Sequence, residues 1–335
     1  MDKRVIFAVA GSGKTTYIVD SLSKNKRSLI VTYTISNYEN LARKITEKFD
    51  GIWPDSISLM TYFQFLYRFC YKPFLSDCVK ARGIIYEQNH DQFARQTERK
   101  YYLTSGGYFY SNRLSLFLEK THVVEEIIVR IEKYFDEFII DEIQDIAGRD
   151  FNFLESLMPA NLNMLFVGDY YQHTFDTSRD GNVNQSLFDD RVAYEKRFTD
   201  KGFISDSTAL VKSWRCGKRI CDYISTNLGI SISSHRVDDT GSITFVSDPA
   251  EIEAIVSDQA ITKLHYRECS KFGYGHRNWG DTKGEDHHVD VCVMLNKNTA
   301  KLHRQSKLCD LPPSTRNKLY VAITRAHGNV YLIYE

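Results

Sequence analysis

The chain has 335 residues, with 43 basic and 43 acidic side chains, 42% hydrophobic residues and 26% charged residues. This composition excludes a disordered, collagen-like or coiled-coil protein, and at roughly 150 residues per domain the length predicts about two domains. Because the formal net charge is zero, any contact with nucleic acid has to rest on a local basic and aromatic surface.

The first element in the chain is a strand that leads through a glycine turn into a helix. Residues 4–9 form an apolar run, and a helix is expected up to about Ser23. Between them, AVAGSGKT at 8–15 fits the phosphate-loop pattern, with Ala8 in place of the first glycine. This context predicts an ATP site in which Lys14 reaches the β- and γ-phosphates and the Thr15 hydroxyl ligates Mg²⁺. The predicted nucleotide-binding residues are Ala10, Gly11, Ser12, Gly13, Lys14, Thr15 and Thr16.

Further strands and helices then alternate along the first half of the chain. Apolar runs at 28–33, 57–60, 137–140 and 163–167 are typical of strands, and segments 37–49 and 151–158 are typical of helices. This alternation predicts a parallel α/β sheet. Region 62–135 is rich in Tyr, Phe, Arg and Lys, with helical pieces but no clear strand series, so we expect a small helical insertion at about 64–134.

The strand at 138–140 ends in two acidic residues, Asp141 and Glu142. A carboxylate at the end of a buried strand beside a phosphate loop is suited to the Mg²⁺ shell, and a second carboxylate is suited to polarising the attacking water. We assign the metal role to Asp141, together with Thr15, and the catalytic role to Glu142.

A second α/β series follows residue 205, with apolar runs at 242–246, 289–295 and 329–334 and a helical stretch at 249–258. The expected division is a first lobe at 1–204, which binds ATP, and a second lobe at 205–335.

Four ordered segments carry a resemblance to a known family. The phosphate loop is followed by DEIQD at 141–145, GDYYQ at 168–172 and YVAITRA at 320–326, and together they resemble superfamily 1 DNA helicases of the UvrD/Rep-like kind. The resemblance implies an α/β P-loop NTPase with two RecA-like parallel-sheet lobes. It also implies an ATP-dependent translocase or helicase that moves 3′ to 5′ on single-stranded DNA and hydrolyses ATP between the lobes.

The resemblance assigns further catalytic residues. Gln172 in the GDYYQ segment corresponds to the sensor of the γ-phosphate. Arg215 in SWRC and Arg325 in the TRA segment correspond to arginines that reach the triphosphate, where cations stabilise the developing charge. The segment TKGE at 282–285 resembles the family's KGxE segment with one residue fewer, which implies Gly284 and Glu285 near the nucleotide and Thr282 near nucleic acid.

The nucleic-acid track is also implied by resembling segments, TYTISN at 32–37 and TYF at 61–63. Hydroxyls and backbone amides there would meet phosphates and aromatic rings would stack on bases. The implied residues are Tyr33, Thr34, Asn37, Thr61, Tyr62, Phe63 and Phe175.

The segment between Arg215 and Lys283 is too short for the large accessory domain that relatives carry there, so the resemblance is to a reduced form. Two alternatives stay open: a regulatory DNA-sensing ATPase subunit of a nuclease or phage-defence complex, and an RNA helicase of viral type. The expected partners are single-stranded DNA or a tailed duplex, and a protein such as a nuclease or a replication or repair factor.

The seven cysteines form an odd set without a CxxC pair, which is typical of reduced thiols in a cytoplasmic protein. A zinc site of Cys216 and Cys221 with His287 and His288 is an alternative, but its spacing fits no zinc pattern. The sequence has no apolar run of membrane-spanning length and no signal peptide, so we expect a cytoplasmic protein without a membrane partner.

Overall fold

The structure is a computed structural model that describes residues 1–89, 91, 93–174, 182–237, 241–273 and 275–335. The strands in these residues are β1 (Lys3–Phe7), β2 (Ser28–Thr32), β3 (Ile57–Thr61), β4 (Gly83–Ile85), β5 (Tyr108–Tyr110), β6 (Glu137–Asp141), β7 (Asn163–Gly168), β8 (Ile204–Asp206), β9 (Lys212–Ser213), β10 (Ser233–Ser234), β11 (Ile243–Phe245), β12 (Thr262–His265), β13 (His276–Asn278), β14 (Val291–Leu295) and β15 (Val330–Tyr334).

The α-helices in the same residues are α1 (Lys14–Ser21), α2 (Ile35–Lys48), α3 (Tyr62–Gln64), α4 (Lys72–Val79), α5 (Arg99–Tyr102), α6 (Leu114–Lys120), α7 (Val124–Tyr134), α8 (Gly148–Leu157), α9 (Arg191–Thr199), α10 (Lys218–Leu228), α11 (Pro249–Ser257), α12 (Lys297–Arg304) and α13 (Pro313–Ile323). None of these helices has the length and apolar content needed to cross a bilayer.

Contacts divide the chain into two compact units. Among the described residues, the first unit consists of Met1–Ile6, Thr15–Val167 and the part of Asp176–Ser205 that the structure describes. The second unit consists of 7–14, 168–174 and the described part of Asp206–Glu335. The glycine turn after β1 and the segment after β7 are therefore grouped with the C-terminal part of the chain.

The first unit is built on a six-stranded sheet in the order β3-β2-β6-β7-β1-β8. β2 pairs in parallel with β3 and β6, and β6 pairs in parallel with β7. β1 runs in the same direction as β7, because Met164 N donates to Asp2 O at one end and Ala8 N donates to Gly168 O at the other. β2 and β6 are buried along their whole length, as expected for parallel strands that are covered on both faces.

The insertion in the first unit begins directly after β3. Thr61 caps α3 through a capping box with Gln64, and the chain continues as a π-helix over Phe65–Tyr71 into α4. The expected helical insertion also contains one short parallel strand pair, β4 with β5. Three-residue strands in GII and YFY are too short to leave an alternating pattern in the sequence.

The second unit is built on a five-stranded sheet in the order β11-β15-β14-β12-β13, and all of its neighbouring strands are parallel. Its core includes apolar side chains from β14, β15, α10 and α13, among them Val293, Leu332, Ile224 and Leu319. Each unit therefore has its own parallel sheet, and the α/β class expected from the sequence is confirmed.

Candidate functional site

The loop after β1 has the geometry of a phosphate-binding turn. Gly11 and Gly13 have φ angles of +68° and +87°, a left-handed region that favours glycine, and α1 begins at Lys14. Between them, Ser12 is buried, and its hydroxyl has no hydrogen-bond partner in the part of the chain that is described. A buried hydroxyl in this position is a donor suited to an anion, since burying it unpaired is costly.

Gly11 lies directly against the segment that carries Arg215. Trp214 N donates to Gly11 O over 2.8 Å, and a Cβ placed on Gly11 would lie 2.7 Å from the Arg215 Cβ. Only glycine fits at this distance, because real Cβ atoms do not approach so closely. The structure thus brings the predicted phosphate loop and the predicted Arg215 together within the second unit.

Trp214 is a candidate residue that the sequence analysis did not single out. Its side chain is 62% exposed and stacks on His235 with ring centroids 3.9 Å apart and an interplanar angle of 11°. A Cβ on Gly13 would lie 3.8 Å from the Trp214 Cδ1, so the indole borders the glycine turn. The sequence feature that could have identified Trp214 is its position next to the predicted Arg215.

Tyr320 joins the loop to the segment after β7. Its hydroxyl accepts a hydrogen bond from Ala10 N over 2.8 Å and donates to Asp169 Oδ2 over 3.1 Å. Burial is the main cause that raises the pKa of this phenol well above its usual value, and the nearby Asp169 carboxylate adds to it. The hydroxyl therefore remains a donor at neutral pH. Ala10, Asp169 and Tyr320 are too far apart in the sequence for this link to be read from it.

Replacing Tyr320 with phenylalanine should therefore damage the site with little change in volume. The variant leaves the buried Ala10 N–H and Asp169 carboxylate without this partner, which costs about 1–3 kcal/mol. We expect a lower melting temperature and weaker ATP binding, measured by thermal unfolding and equilibrium binding. Tyr334→Phe is the matched control, since the Tyr334 hydroxyl contacts His303 instead. Equal effects of both substitutions on ATP binding would contradict the assignment.

Arg325 is buried in a cage of backbone carbonyls. Its Nε donates to Val321 O, and its Nη1 donates to Thr282 O and Glu285 O over 3.3 and 3.0 Å. Burial is the main cause that lowers the pKa of Arg325 to about 10, and the nearby charge of Arg215 adds to it. The guanidinium therefore stays charged at neutral pH. Nη2 has no hydrogen-bond partner among the described residues, which leaves this nitrogen of the guanidinium for a ligand.

Arg215 makes a different set of contacts. Its Nε pairs with Asp286 Oδ1 at 2.5 Å, and its Nη1 donates to Thr324 O over 3.2 Å. Burial raises the pKa of the Asp286 carboxyl, but Arg215 and His327 together outweigh this effect and hold the pKa below its usual value. Asp286 is thus an acid that competes with any anionic ligand for Arg215.

The predicted residues Thr282 and Glu285 of the TKGE segment contact other residues of the protein. The Thr282 hydroxyl donates to Trp279 O over 3.0 Å, and Thr282 is buried, so the implied nucleic-acid contact does not fit this hydroxyl as it stands. Glu285 Oε2 lies 2.6 Å from His288 Nε2. Burial lowers the pKa of His288 despite this carboxylate. Gly284 has a φ of +87° and turns the chain between Thr282 and Glu285.

The acidic pair lies at the end of β6. Asp141 is its last residue and is 2% exposed, and Glu142 follows in a left-handed conformation with a φ of 57°. Gln144 Nε2 donates to Glu142 Oε2. A left-handed non-glycine residue costs of order 1–3 kcal/mol, and such strain is frequently found at functional sites. Because β1, β6 and β7 run in the same direction, their carboxyl ends share one edge of the sheet.

Gln172, Thr15 and Thr16 complete the predicted nucleotide residues. Gln172 is buried in the short 3-10 helix Tyr170–Gln172, and Asp169 caps that helix by accepting from Tyr171 N. Thr15 lies in the first turn of α1. The Thr16 hydroxyl accepts from Lys44 Nζ over 2.8 Å.

The predicted nucleic-acid residues of the first unit lie at the ends of β2 and β3. Thr32 pairs in register with Thr61, so the two resembling segments start side by side. The Thr34 hydroxyl accepts from Asn37 N and caps α2. Tyr62 and Phe63 are buried, so neither ring offers a free face to a base as it stands.

Two more accessible tyrosines flank these buried rings. Tyr33 is half-buried and stacks on Tyr62 with centroids 6.1 Å apart. Tyr86 is 71% exposed, and its ring packs against that of Phe63 in a T-shaped arrangement with the ring centroids 5.2 Å apart. The sequence analysis missed Tyr86, which lies outside the resembling segments. The predicted Phe175 lies outside the described residues.

Cys216 and Cys221, the two cysteines of the alternative zinc site, are both buried, and their thiols lie 3.7 Å from backbone carbonyls. Among the described residues, the group whose donor atoms could hold a metal is instead Glu285, His287 and His288.

The fold was compared with known proteins. No protein-family model and no curated protein matches the chain. A solved complex of the arterivirus nonstructural protein 10 helicase with DNA matches with a TM-score of 0.51 and 15% identity, over 99% of this chain and 61% of that protein. The chain shares the fold of this helicase. A second structure, the PRRSV helicase, matches with a TM-score of 0.49 and 15% identity, over 98% of this chain and 52% of that protein.

This similarity is one of fold, and it confirms the expectation of two RecA-like parallel-sheet lobes. The chain spans about three-fifths of the length of the arterivirus protein.

Proposed function

We propose that this chain is an ATPase of the superfamily 1 helicase kind whose turnover depends on single-stranded nucleic acid. The observation that carries the proposal is the glycine turn, where the Ser12 hydroxyl is buried with no partner among the described residues and the left-handed Gly11 lies against Arg215. The arterivirus neighbour is a helicase solved with DNA, which supports nucleic acid as the partner.

ATP and Mg²⁺ fit the chemistry of these residues. The Ser12 hydroxyl and the backbone N–H groups of the turn suit the phosphates, and Lys14 supplies a cation at the start of α1. Mg²⁺, held by the Thr15 hydroxyl and Asp141, would neutralise charge on the β- and γ-phosphates. Trp214 provides an exposed aromatic face beside the turn, suited to stacking on the base of the nucleotide.

Glu142 is the proposed group that activates water. Gln144 fixes one of its carboxylate oxygens, and its left-handed backbone conformation directs the chain away from β6. Gln172 and the two arginines are proposed to respond to the γ-phosphate. Arg325 Nη2, which has no partner in the described part of the chain, is proposed to meet an anion, whereas Arg215 must exchange Asp286 for the nucleotide.

In the first unit, the proposed nucleic-acid surface is the edge where β2 and β3 end. Thr34, Asn37 and Thr61 bring hydroxyl, amide and backbone donors to this edge for phosphate contacts. Tyr33 and Tyr86 are proposed as the stacking residues, because their rings are more accessible than those of Tyr62 and Phe63. Stacking on aromatic rings tolerates any base sequence.

In the second unit, a cleft lies where β12 and β14 end. β12 and β14 are neighbours in the sheet, but the chain leaves β12 toward β13 at one edge and leaves β14 toward β15 in the opposite direction. Open α/β sheets bind ligands at such switch points. The residues lining the cleft are Tyr266, Arg267, Glu268, Lys271, Phe272, Asn296, Lys297, Asn298 and Glu335. Of its three cations, Lys271 pairs with Glu268, which leaves Arg267 and Lys297 to meet a nucleic-acid backbone, and its two aromatic rings suit the bases.

Removing charge from this cleft should weaken nucleic-acid binding in a salt-dependent way. The double variant Arg267→Gln, Lys297→Gln is expected to lower the slope of log K against log salt by about 0.7 for each lost phosphate contact. Fluorescence anisotropy with labelled single strands across a salt series measures this slope. Lys301→Gln is the control, because Lys301 is exposed on α12 but lies outside the cleft lining. An unchanged slope in the double variant would remove the cleft from the proposed surface.

Binding of DNA and RNA strands of matched sequence tests the proposed function itself. The proposal expects binding of at least one single strand to tighten or weaken when ATP is replaced by ADP. Absence of binding to either strand would overturn it.

A viral-type RNA helicase is the second candidate, favoured by the similarity to a helicase of an arterivirus. Preference for the RNA strand in the same experiment would select it. Movement from 3′ to 5′ rests on the UvrD/Rep-like resemblance and stays a prediction.

A further inference from the structure

The loop before β14 carries one carboxylate and two imidazoles that have no role in the ATP site proposed above. These residues are Glu285, His287 and His288, and one donor atom of each lies within 4.8 Å of the other two. Two imidazoles with a carboxylate are a donor set that zinc and neighbouring divalent metals take.

His288 is the fixed member of this group. It is 5% exposed, its Nδ1 lies 2.9 Å from Thr262 Oγ1, and its Nε2 lies 2.6 Å from Glu285 Oε2. Metal-bound histidines are typically held through their other ring nitrogen by such an outer partner. Without an ion, the short contact requires Nε2–H to donate to the Glu285 carboxylate, and Nδ1 then accepts from the Thr262 hydroxyl. An ion at Nε2 would take the other tautomer, in which Nδ1–H donates to Thr262 Oγ1.

The other two donors have room to adjust. Ligands on a tetrahedral zinc at about 2.0–2.2 Å stand roughly 3.3–3.6 Å apart, so Glu285 Oε2 has to withdraw by less than about 1 Å from His288 Nε2. The Glu285 side chain is 29% exposed. His287 is exposed, and its ring centroid lies 4.1 Å from that of His288.

Among the described residues, the nearby arginines do not contact Oε2 of Glu285, the oxygen that is proposed to bind the ion. Arg277 Nε lies 3.9 Å from Glu285 Oε1, on the other side of the carboxylate. Arg325 donates to the Glu285 backbone carbonyl. Asp286 pairs with Arg215 and His327.

We propose that Glu285, His287 and His288 bind one divalent transition-metal ion of the zinc class, with Thr262 as a positioning residue. The three protein ligands leave a fourth coordination position for water, as in open zinc sites. Because the same loop supplies two of the carbonyls that hold Arg325, the ion stiffens the support of that arginine. The ion binds whether or not the chain hydrolyses ATP.

Titration of the purified full chain with Co²⁺ tests the site. We expect one equivalent to give the intense visible absorption of a four-coordinate ion, and Zn²⁺ to displace it. His287→Ala should abolish this absorption while leaving the circular dichroism unchanged, because His287 is exposed. His327→Ala is the matched control and should bind Co²⁺ as the parent chain does.

The positioning role has its own readout. Thr262→Val should weaken Co²⁺ binding about 10–100-fold, and Thr262→Ser, which keeps the hydroxyl, should restore it. The proposal is overturned if the chain takes up no stoichiometric Co²⁺, if His287→Ala binds it as tightly as the parent, or if His327→Ala loses it equally.

Discussion

Replacing Lys14 with alanine is expected to lower ATP turnover by at least about 100-fold, the loss that follows removal of one preorganised group that stabilises transition-state charge. Lys14 is the first residue of α1 and follows the left-handed Gly13, so its ammonium is the cation nearest in sequence to the proposed phosphate turn. Alanine is the strongest helix former, and the fold should persist. Phosphate release under saturating ATP measures the effect.

Lys26→Ala is the control for this substitution, because Lys26 is an exposed lysine beyond the end of α1. The control should keep full turnover and both variants should keep the parent melting profile. Turnover by Lys14→Ala equal to that of the control would refute the assigned phosphate site.

Glu142→Gln is expected to separate binding from chemistry. The amide keeps the size of the side chain but cannot take a proton from water, so hydrolysis should fall by about 10²–10⁴-fold. ATP affinity should stay within a few-fold of the parent, because Glu142 is assigned no role in holding the phosphates. Single-turnover hydrolysis and equilibrium ATP binding on the same preparation measure the two quantities.

Two further variants sharpen this result. Glu126→Gln alters an exposed acid on α7 and should leave hydrolysis unchanged. Glu142→Gly removes the carboxylate yet suits the left-handed backbone, so it should be inactive without loss of thermal stability. An active Glu142→Gly would show that another group activates the water.

The local parts of the fold and site could be predicted from the sequence, because each rests on a short continuous pattern. The buried strands β2 and β6 are apolar runs, and the glycine turn with Lys14 and the acids at the end of β6 are contiguous motifs. β12 and β13 were not recognised, since TKLH and HRN have no apolar periodicity and gain their extended form from pairing in the sheet.

The parts that escaped prediction are those formed by tertiary contact. The link through Tyr320 connects Ala10 and Asp169 across most of the chain. The inward hydroxyl of Thr282 and the buried rings of Tyr62 and Phe63 reflect packing that a motif does not record. Motif resemblance identifies which residues occupy a site, whereas burial determines which of their atoms remain available to a ligand.

ATP hydrolysis by this chain is proposed to depend on single-stranded nucleic acid. This dependence is measured as steady-state phosphate release by the purified chain, titrated with an unstructured single strand at low salt. The proposal predicts turnover that rises to saturation with added strand, falls as salt increases and disappears in Lys14→Ala. Absence of hydrolysis, or turnover indifferent to the strand, would contradict it.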